Sequence, residues 1–325
     1  MKVLFIGGTG TISSACTQLA VDRGIELHLL VRGRTDRPVP PGARVLYADV
    51  RDGAAARAAL GGERYDAVVD WIAFTPAHVA GSLAVVRDRT AQYVFIGSAS
   101  AYETPPSVLP VTETTPLGNP YWAYSRDKIA CERMLADAAR DGVPVTIVRP
   151  SQTYDARALP FRGGYTVVDR MRRGAPVVVH GDGTSIWVLT HHRDFAVGLV
   201  GLLGNPDAIG ETFHITSDEL LTWNGIYGEI ARAAGVAAPH LVHVTSERIA
   251  RHDADWGAAL LGDQAHSMIF DNTKIKRAVP EYAARIPFRD GAREIMAWYD
   301  ADPARRTVDR EFDALTERIV EDVSR

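Results

Sequence analysis

The stretch Val3-Leu-Phe-Ile-Gly7-Gly8-Thr9-Gly10-Thr11-Ile12-Ser13 decides the fold of this 325-residue chain. An apolar run enters a glycine turn, and a helical pattern follows from Thr11. A strand, a tight turn and a helix in that order make a phosphate cradle. Gly7 permits the turn, Gly10 lets backbone N–H groups approach an anion, and the helix N-terminus faces that charge. Ser13 takes the third small position, where helix and strand pack closely. Gly7, Thr9, Gly10, Thr11 and Ile12 are therefore read as holding the pyrophosphate of a dinucleotide.

Further apolar runs follow at Glu26–Val31, Arg44–Tyr47, Ala67–Asp70, Tyr93–Ile96 and Val145–Val148. They are continuous rather than alternating, as in strands buried on both faces of a parallel sheet. Between them lie helical stretches at Thr11–Arg23, Ala54–Leu60, Pro76–Arg87 and Tyr121–Asp141. The alternation predicts an α/β fold, a Rossmann-type doubly wound parallel sheet. Residues 1–150 are expected to form the dinucleotide-binding domain, and 151–325 mainly a smaller C-terminal substrate-binding lobe. Val177–His180 and Phe213–Thr216 are expected to rejoin the sheet. Asp302–Arg325 reads as an amphipathic helix docking through Val308, Phe312, Leu315 and Ile319.

Composition narrows the function classes. A formal net charge of -4 gives no basic field for a phosphate backbone, which argues against nucleic acid as a partner. No apolar run reaches the roughly 18 residues of a membrane span, and the N-terminus lacks a secretory pattern. Cys16 and Cys131 form neither a disulfide framework nor a metal site. These features predict a bacterial, cytoplasmic protein, and with no carboxylate or third histidine at ligand spacing beside His191 and His192 no metal is expected. Of 36 basic residues only Lys2, Lys128, Lys274 and Lys276 are lysines, so each lysine invites a reason.

The end of the second strand sets the nucleotide preference. It reads Leu30-Val31-Arg32-Gly33-Arg34, with no carboxylate for a ribose 2′-hydroxyl. Arg32 and Arg34 suit a 2′-phosphate, so NADP is favoured over NAD. Asp49 and Val50, after the third strand, are expected beside the adenine. Trp71-Ile-Ala-Phe74 follows the fourth strand, so Ala73 should pass under the cofactor while Phe74 shapes the substrate pocket.

Tyr124-Ser-Arg-Asp-Lys128 sets a phenol and an ammonium on one helix face. Hydride transfer at a hydroxyl carbon needs a group to carry the hydroxyl proton. A tyrosine near its ordinary pKa of about 10 does this poorly at neutral pH, and a neighbouring lysine is expected to lower it. Ser98, after the fifth strand, would polarise the substrate oxygen, with Ser100 as the alternative.

These pieces, with Arg149-Pro150-Ser-Gln-Thr-Tyr154, His180-Gly-Asp-Gly183 and His192-Arg-Asp194, resemble the extended short-chain dehydrogenases/reductases of the NAD-dependent epimerase/dehydratase family. The resemblance implies that Ser98, Tyr124 and Lys128 are catalytic and that Pro150, Ser151 and Gln152 lie against the nicotinamide. It implies an epimerase or ketoreductase of a sugar-like or nucleoside-like small molecule. It also implies a homodimer through Pro76–Arg87 and Tyr121–Asp141. Two departures narrow this. Ala99-Ser100 follows Ser98 where the family's dehydratases carry an Asp-Glu pair, which disfavours dehydration. Trp187 stands where many members carry a diphosphate-gripping arginine, leaving Arg157, Arg162, Arg170, Arg172 and Arg173 as other candidates for that grip. Ser100, Tyr154, Trp187, His191 and His192 join Phe74 as expected substrate contacts. The glycine opening and the His-x-Arg-Asp stretch also resemble the chloroplast stem-loop-binding branch, so a non-catalytic or RNA-binding member is the alternative.

Overall fold

In the computed structural model, which describes residues 1–324, the sheet grows outward from the first strand. β1 (Lys2–Ile6) leads through the glycine turn into α1 (Thr11–Asp22), followed by β2 (Glu26–Val31), β3 (Arg44–Tyr47) and α2 (Gly53–Leu60). The chain then returns past β1 with β4 (Ala67–Asp70), α3 (Pro76–Val86), β5 (Tyr93–Ile96), α4 (Ala123–Arg140) and β6 (Val145–Pro150). β4 and β5 are buried at every position, which explains their unbroken apolar sequence.

Beyond Pro150 the elements shorten. β7 (Gln152–Tyr154), α5 (Tyr165–Arg172), β8 (Val177–His180), β9 (Ile186–Trp187) and β10 (Leu189–His191) precede α6 (His192–Leu202) and β11 (Thr212–Ile215). Then come β12 (Leu221–Thr222), α7 (Trp223–Ala233), β13 (Leu241–Val244), α8 (Ser246–His252) and α9 (Ala254–Ala259). A π-helical turn at Leu260–Gln264 precedes α10 (Thr273–Ala278), α11 (Phe288–Asp300) and α12 (Arg310–Val323).

The seven-stranded sheet runs β11-β6-β5-β4-β1-β2-β3, with every pairing parallel. Its order reverses between β1 and β4, and such a switch point opens a crevice at the strands' carboxyl ends. β11 rejoins this sheet as expected, but β8 does not. It pairs with β13 alone, because the lobe's own apolar residues, including Trp223 and Ile230, cover it. The C-terminal helix begins at Arg310 rather than Asp302: Asp309 caps it by accepting from the N–H groups of Glu311 and Phe312. Phe312, Leu315 and Ile319 dock into the lobe core, with Val308 packed at its margin.

Candidate active site

The glycine turn has the backbone its sequence implies. Gly7 and Gly8 adopt φ of +100° and +109°, and a Cβ at Gly8 would lie 2.9 Å from Leu29. The Gly10 N–H donates to Ser13 Oγ at 2.7 Å, tying the loop to the first turn of α1. The exposed amides of that turn fit a dinucleotide pyrophosphate.

Ser98 leaves β5 and caps a short turn, accepting from the Ser100 N–H at 3.2 Å. The Ser98 and Ser100 hydroxyls lie 2.8 Å apart, and Ser125 donates to Ser100 at 2.8 Å. Asn119 accepts from the N–H groups of Tyr121 and Trp122 just before α4, and this sets Tyr124 in the helix's first turn. One turn on, Lys128 is 2% exposed and donates to the carbonyls of Ala73 (2.8 Å) and Ile96 (2.7 Å). Its Nζ lies 5.8 Å from the centre of the Tyr124 ring. Burial lowers the ammonium to about 8.

Tyr124 differs from expectation. Burial raises its phenol above the ordinary value, more than a hydrogen bond with Ser98 pulls it back, and the nearby Asp263 charge raises it further. Lys128 is not among the groups that shift it; the ammonium is bonded to the Ala73 and Ile96 carbonyls instead.

Three cavities run along the carboxyl edge of the sheet. An outer one of about 240 Å³ is lined by Gly7, Thr9, Arg32, Arg34, Asp49 and Val50. Arg32 stands 3.8 Å from Asp49 across it. A middle one of about 430 Å³ shares Gly7 and Thr9 with the outer and adds Gly10, Thr11, Ile12, Lys128 and Phe74. An inner one of about 340 Å³ is lined by Ser98, Ser100, Ser151, Gln152 and Trp187, and it shares Ile12, Tyr124 and Pro150 with the middle. Tyr124 thus stands at the junction of two compartments. Phe74 falls in the middle compartment, over Lys128, rather than in the inner one. Ala73 is fully buried and contributes its carbonyl to Lys128.

Several expected substrate contacts lie elsewhere. Tyr154 is 1% exposed, wedged edge-on between His191 and Phe288, because β7 turns its ring into the lobe core. His191 is also buried and meets Glu294 at 3.1 Å, while its Nδ1 accepts from the Arg193 N–H. His192 lines a separate groove between α1 and α6. Trp187 borders the inner cavity, but its ring packs against Trp223 and its indole N–H donates to Gln152 Oε1 at 2.8 Å, so it orients Gln152. None of the five candidate arginines lines the inner cavity. Each is matched to a carboxylate: Arg157 to Asp36, Arg162 to Asp253, Arg170 to Asp313 and Glu317, Arg172 to Asp300, and Arg173 to Asp169.

Other wall residues escaped sequence reasoning. The Trp122 ring lies against that of Tyr124, tilted by 42°, with ring centres 4.8 Å apart. Asp263 and Gln264 enter the inner cavity from the π-helical turn, and Met268 and Phe270 from just beyond it, well over a hundred residues after Tyr124. Asp263 brings a carboxyl to the site although none follows Ser98. Its protein surroundings push that carboxyl up to about 8. No sequence motif marks these positions; a π-turn beside a cavity is a frequent functional device, but it is visible only in three dimensions.

Comparison with known proteins agrees with this architecture. Residues 78–216 match the model of the NAD dependent epimerase/dehydratase family. The chain is 28% identical over 294 residues to 2'-dehydrokanamycin reductase of Streptomyces kanamyceticus, covering 88% of this chain and 81% of that one. It is 26% identical to the chloroplast stem-loop binding protein of 41 kDa b of Arabidopsis thaliana, covering 74% of this chain and 65% of the relative. In fold it is similar to the UDP-glucose 4-epimerase from Bifidobacterium longum, solved in complex with NAD+ and UDP. There the TM-score is 0.75 at 19% identity, over 93% of this chain and 99% of that one. With its parallel sheet, its glycine turn and the matched residues 78–216, the chain is similar to the NAD dependent epimerase/dehydratase family.

Proposed function

We propose that the chain is an NAD(P)-dependent ketoreductase that works at a hydroxyl or keto carbon of a sugar-like small molecule. The observation that carries this is Tyr124, the one ionisable side chain shared by the dinucleotide-side and inner cavities. A dinucleotide held along Gly7, Thr9, Gly10, Thr11 and Ile12 would supply the hydride chemistry. Tyr124 moves the hydroxyl proton, and Ser98, within its hydrogen-bonding reach, holds the substrate oxygen. Lys128 keeps a positive charge beneath the phenol, anchored by the Ala73 and Ile96 carbonyls. Residues 1–150 act as the nucleotide half and the later chain mainly as the substrate lobe, in a homodimer built through α3 and α4.

Reduction is preferred over epimerisation by the end of β2. Arg32 and Arg34 line the outer cavity there without a carboxylate on the strand end, which suits the exchangeable NADPH. The similarity to a reductase over 88% of the chain supports the same choice. An epimerase would instead retain its nucleotide through the cycle. Denaturing freshly purified protein and weighing any released nucleotide separates the two: an empty protein that binds NADPH reversibly supports the reductase, and stoichiometric NAD⁺ or NADH supports the epimerase. Tyr124→Phe should reduce turnover about 10²–10⁴-fold while nucleotide affinity stays within twofold. Undiminished turnover of that variant would falsify the reading.

A further inference from the structure

The inner cavity has an unusual charge balance. Among the described residues, its lining includes no lysine, arginine or histidine; the ionisable groups are Tyr124 and Asp263. The Asp263 carboxyl faces this cavity without a protein cation or a side-chain hydrogen bond, and burial alone shifts it. The neighbouring backbone is firmly held: Asn119 donates to the Gly262 carbonyl at 2.5 Å and to the Ser100 carbonyl at 3.1 Å. One amide side chain therefore couples the Asp263 turn to the Ser98–Ser100 turn. Gly262 itself packs so closely that a Cβ there would lie 2.7 Å from Trp122. The carboxyl is positioned by the fold, and its partner is missing from the protein.

A nucleoside diphosphate needs cations, and this wall offers none. A neutral sugar would leave the carboxyl with hydroxyl partners only. An ammonium would neutralise it, in a partly desolvated site where such pairing is strongest. We propose that the inner cavity selects a substrate bearing an ammonium group close to its reacting carbon, and that the Asp263 carboxylate is the counter-ion. This rests on the function proposed above and defines its substrate class.

The sign of the pH dependence follows. Without a ligand the carboxyl is held up to about 8, so it is mostly protonated at pH 7. An arriving ammonium displaces that proton, and affinity for a cation rises with pH up to about 8. His266, three residues on, donates its backbone N–H to the Asp263 carbonyl at 3.4 Å, and the charged groups of the flanking helices are paired or exposed. On α8 and α9, Arg248 and His252 meet Asp322, and Asp253 meets Arg162, while Glu247, Arg251 and Asp255 are exposed. From β8, His180 contacts the Gln264 carbonyl. Tyr124, from α4, stays protonated across this range.

The test is calorimetric titration of the full chain, saturated with NADP⁺, with three matched probes: glucamine, glucitol and glucitol 6-phosphate. Glucamine should bind about tenfold or more tighter than glucitol at pH 8, releasing a proton when titrated at pH 7, and the phosphate should bind weakest. The preference should shrink at pH 6 and vanish in Asp263→Asn. Equal binding of glucamine and glucitol, tighter binding of the phosphate, or no glucamine binding at all overturns the proposal. The wild-type series needs no variant to fold. Because binding is read rather than turnover, a failure here leaves the Tyr124→Phe result standing, so the two readings fall separately.

Discussion

At the residue scale the site trades stability for chemistry. Lys128 is a buried ammonium with two carbonyl partners and no carboxylate contact, and burial lowers its proton affinity. Replacing it with methionine removes the desolvation cost of the charge but leaves the Ala73 and Ile96 carbonyls short of a donor, at about 1–3 kcal/mol. These effects oppose each other. Lys128→Met should therefore unfold within about 1 kcal/mol of the parent in urea while its kcat falls about a hundredfold or more. A large loss of stability with normal kcat would make Lys128 a structural residue. The sequence showed Ser98, Tyr124 and Lys128 because they sit at fixed offsets from a strand end and along one helix face. Asp263 was not visible because its place beside Tyr124 depends on an irregular turn with no period and no motif. Tyr154 misled for the opposite reason: it follows a recognisable strand end, but the side on which a short strand presents its side chains depends on packing, as it does for His191 on β10.

At the element scale, legibility followed period and length. β2 to β5 lie where the apolar runs placed them; β4 and β5 are buried at every position, whereas the edge strand β3 is exposed at Arg44 and Tyr47. β8 has the same appearance, and its sequence says only that it is covered, not by what. It pairs with β13 and packs under α12 and α7 instead of joining the large sheet. The contact that seats α12 was also hidden. Arg170 on α5 is fully buried and reaches Asp313, and it reaches Glu317 one turn further at 2.6 Å. It also donates to the Pro176 carbonyl at 2.7 Å. In the sequence this residue was one of five arginines offered for a diphosphate grip, with nothing to mark it as buried. Arg170→Ala removes packing volume and two ion-pair partners, although Asp313 and Glu317 are partly exposed and regain hydration. A loss of about 2–4 kcal/mol is expected, read as a lower urea midpoint. An unchanged midpoint would show that apolar packing of Phe312, Leu315 and Ile319 alone seats the helix.

At the scale of the whole molecule, the buried titratable groups make stability peak near neutral pH, and the sign of each limb can be worked out. His180 and His192 are lowered by burial to about 4, so between there and 6.5 the unfolded chain holds protons that the fold refuses. Stability must therefore rise with pH across that window. His28, His191 and His214 are also lowered and act in the same direction. Asp263 opposes them. Its carboxyl is raised to about 8, so from the ordinary carboxylate value up to there the fold holds a proton that the unfolded chain has lost. Below 6.5 the histidines outnumber it. Between 6.5 and 8 it acts with little opposition, and stability should fall by up to about 1.4 kcal/mol per pH unit. Above 8 the sign reverses again, because Lys128 is neutral in the fold while still protonated when unfolded. Urea unfolding at half-unit steps from pH 5 to 8.5 should trace a maximum near 6.5 to 7. In Asp263→Asn the rise below 6.5 should persist and the decline above it should disappear. A decline of the same slope in that variant would assign it to another group and remove Asp263 as the buried acid of the cavity.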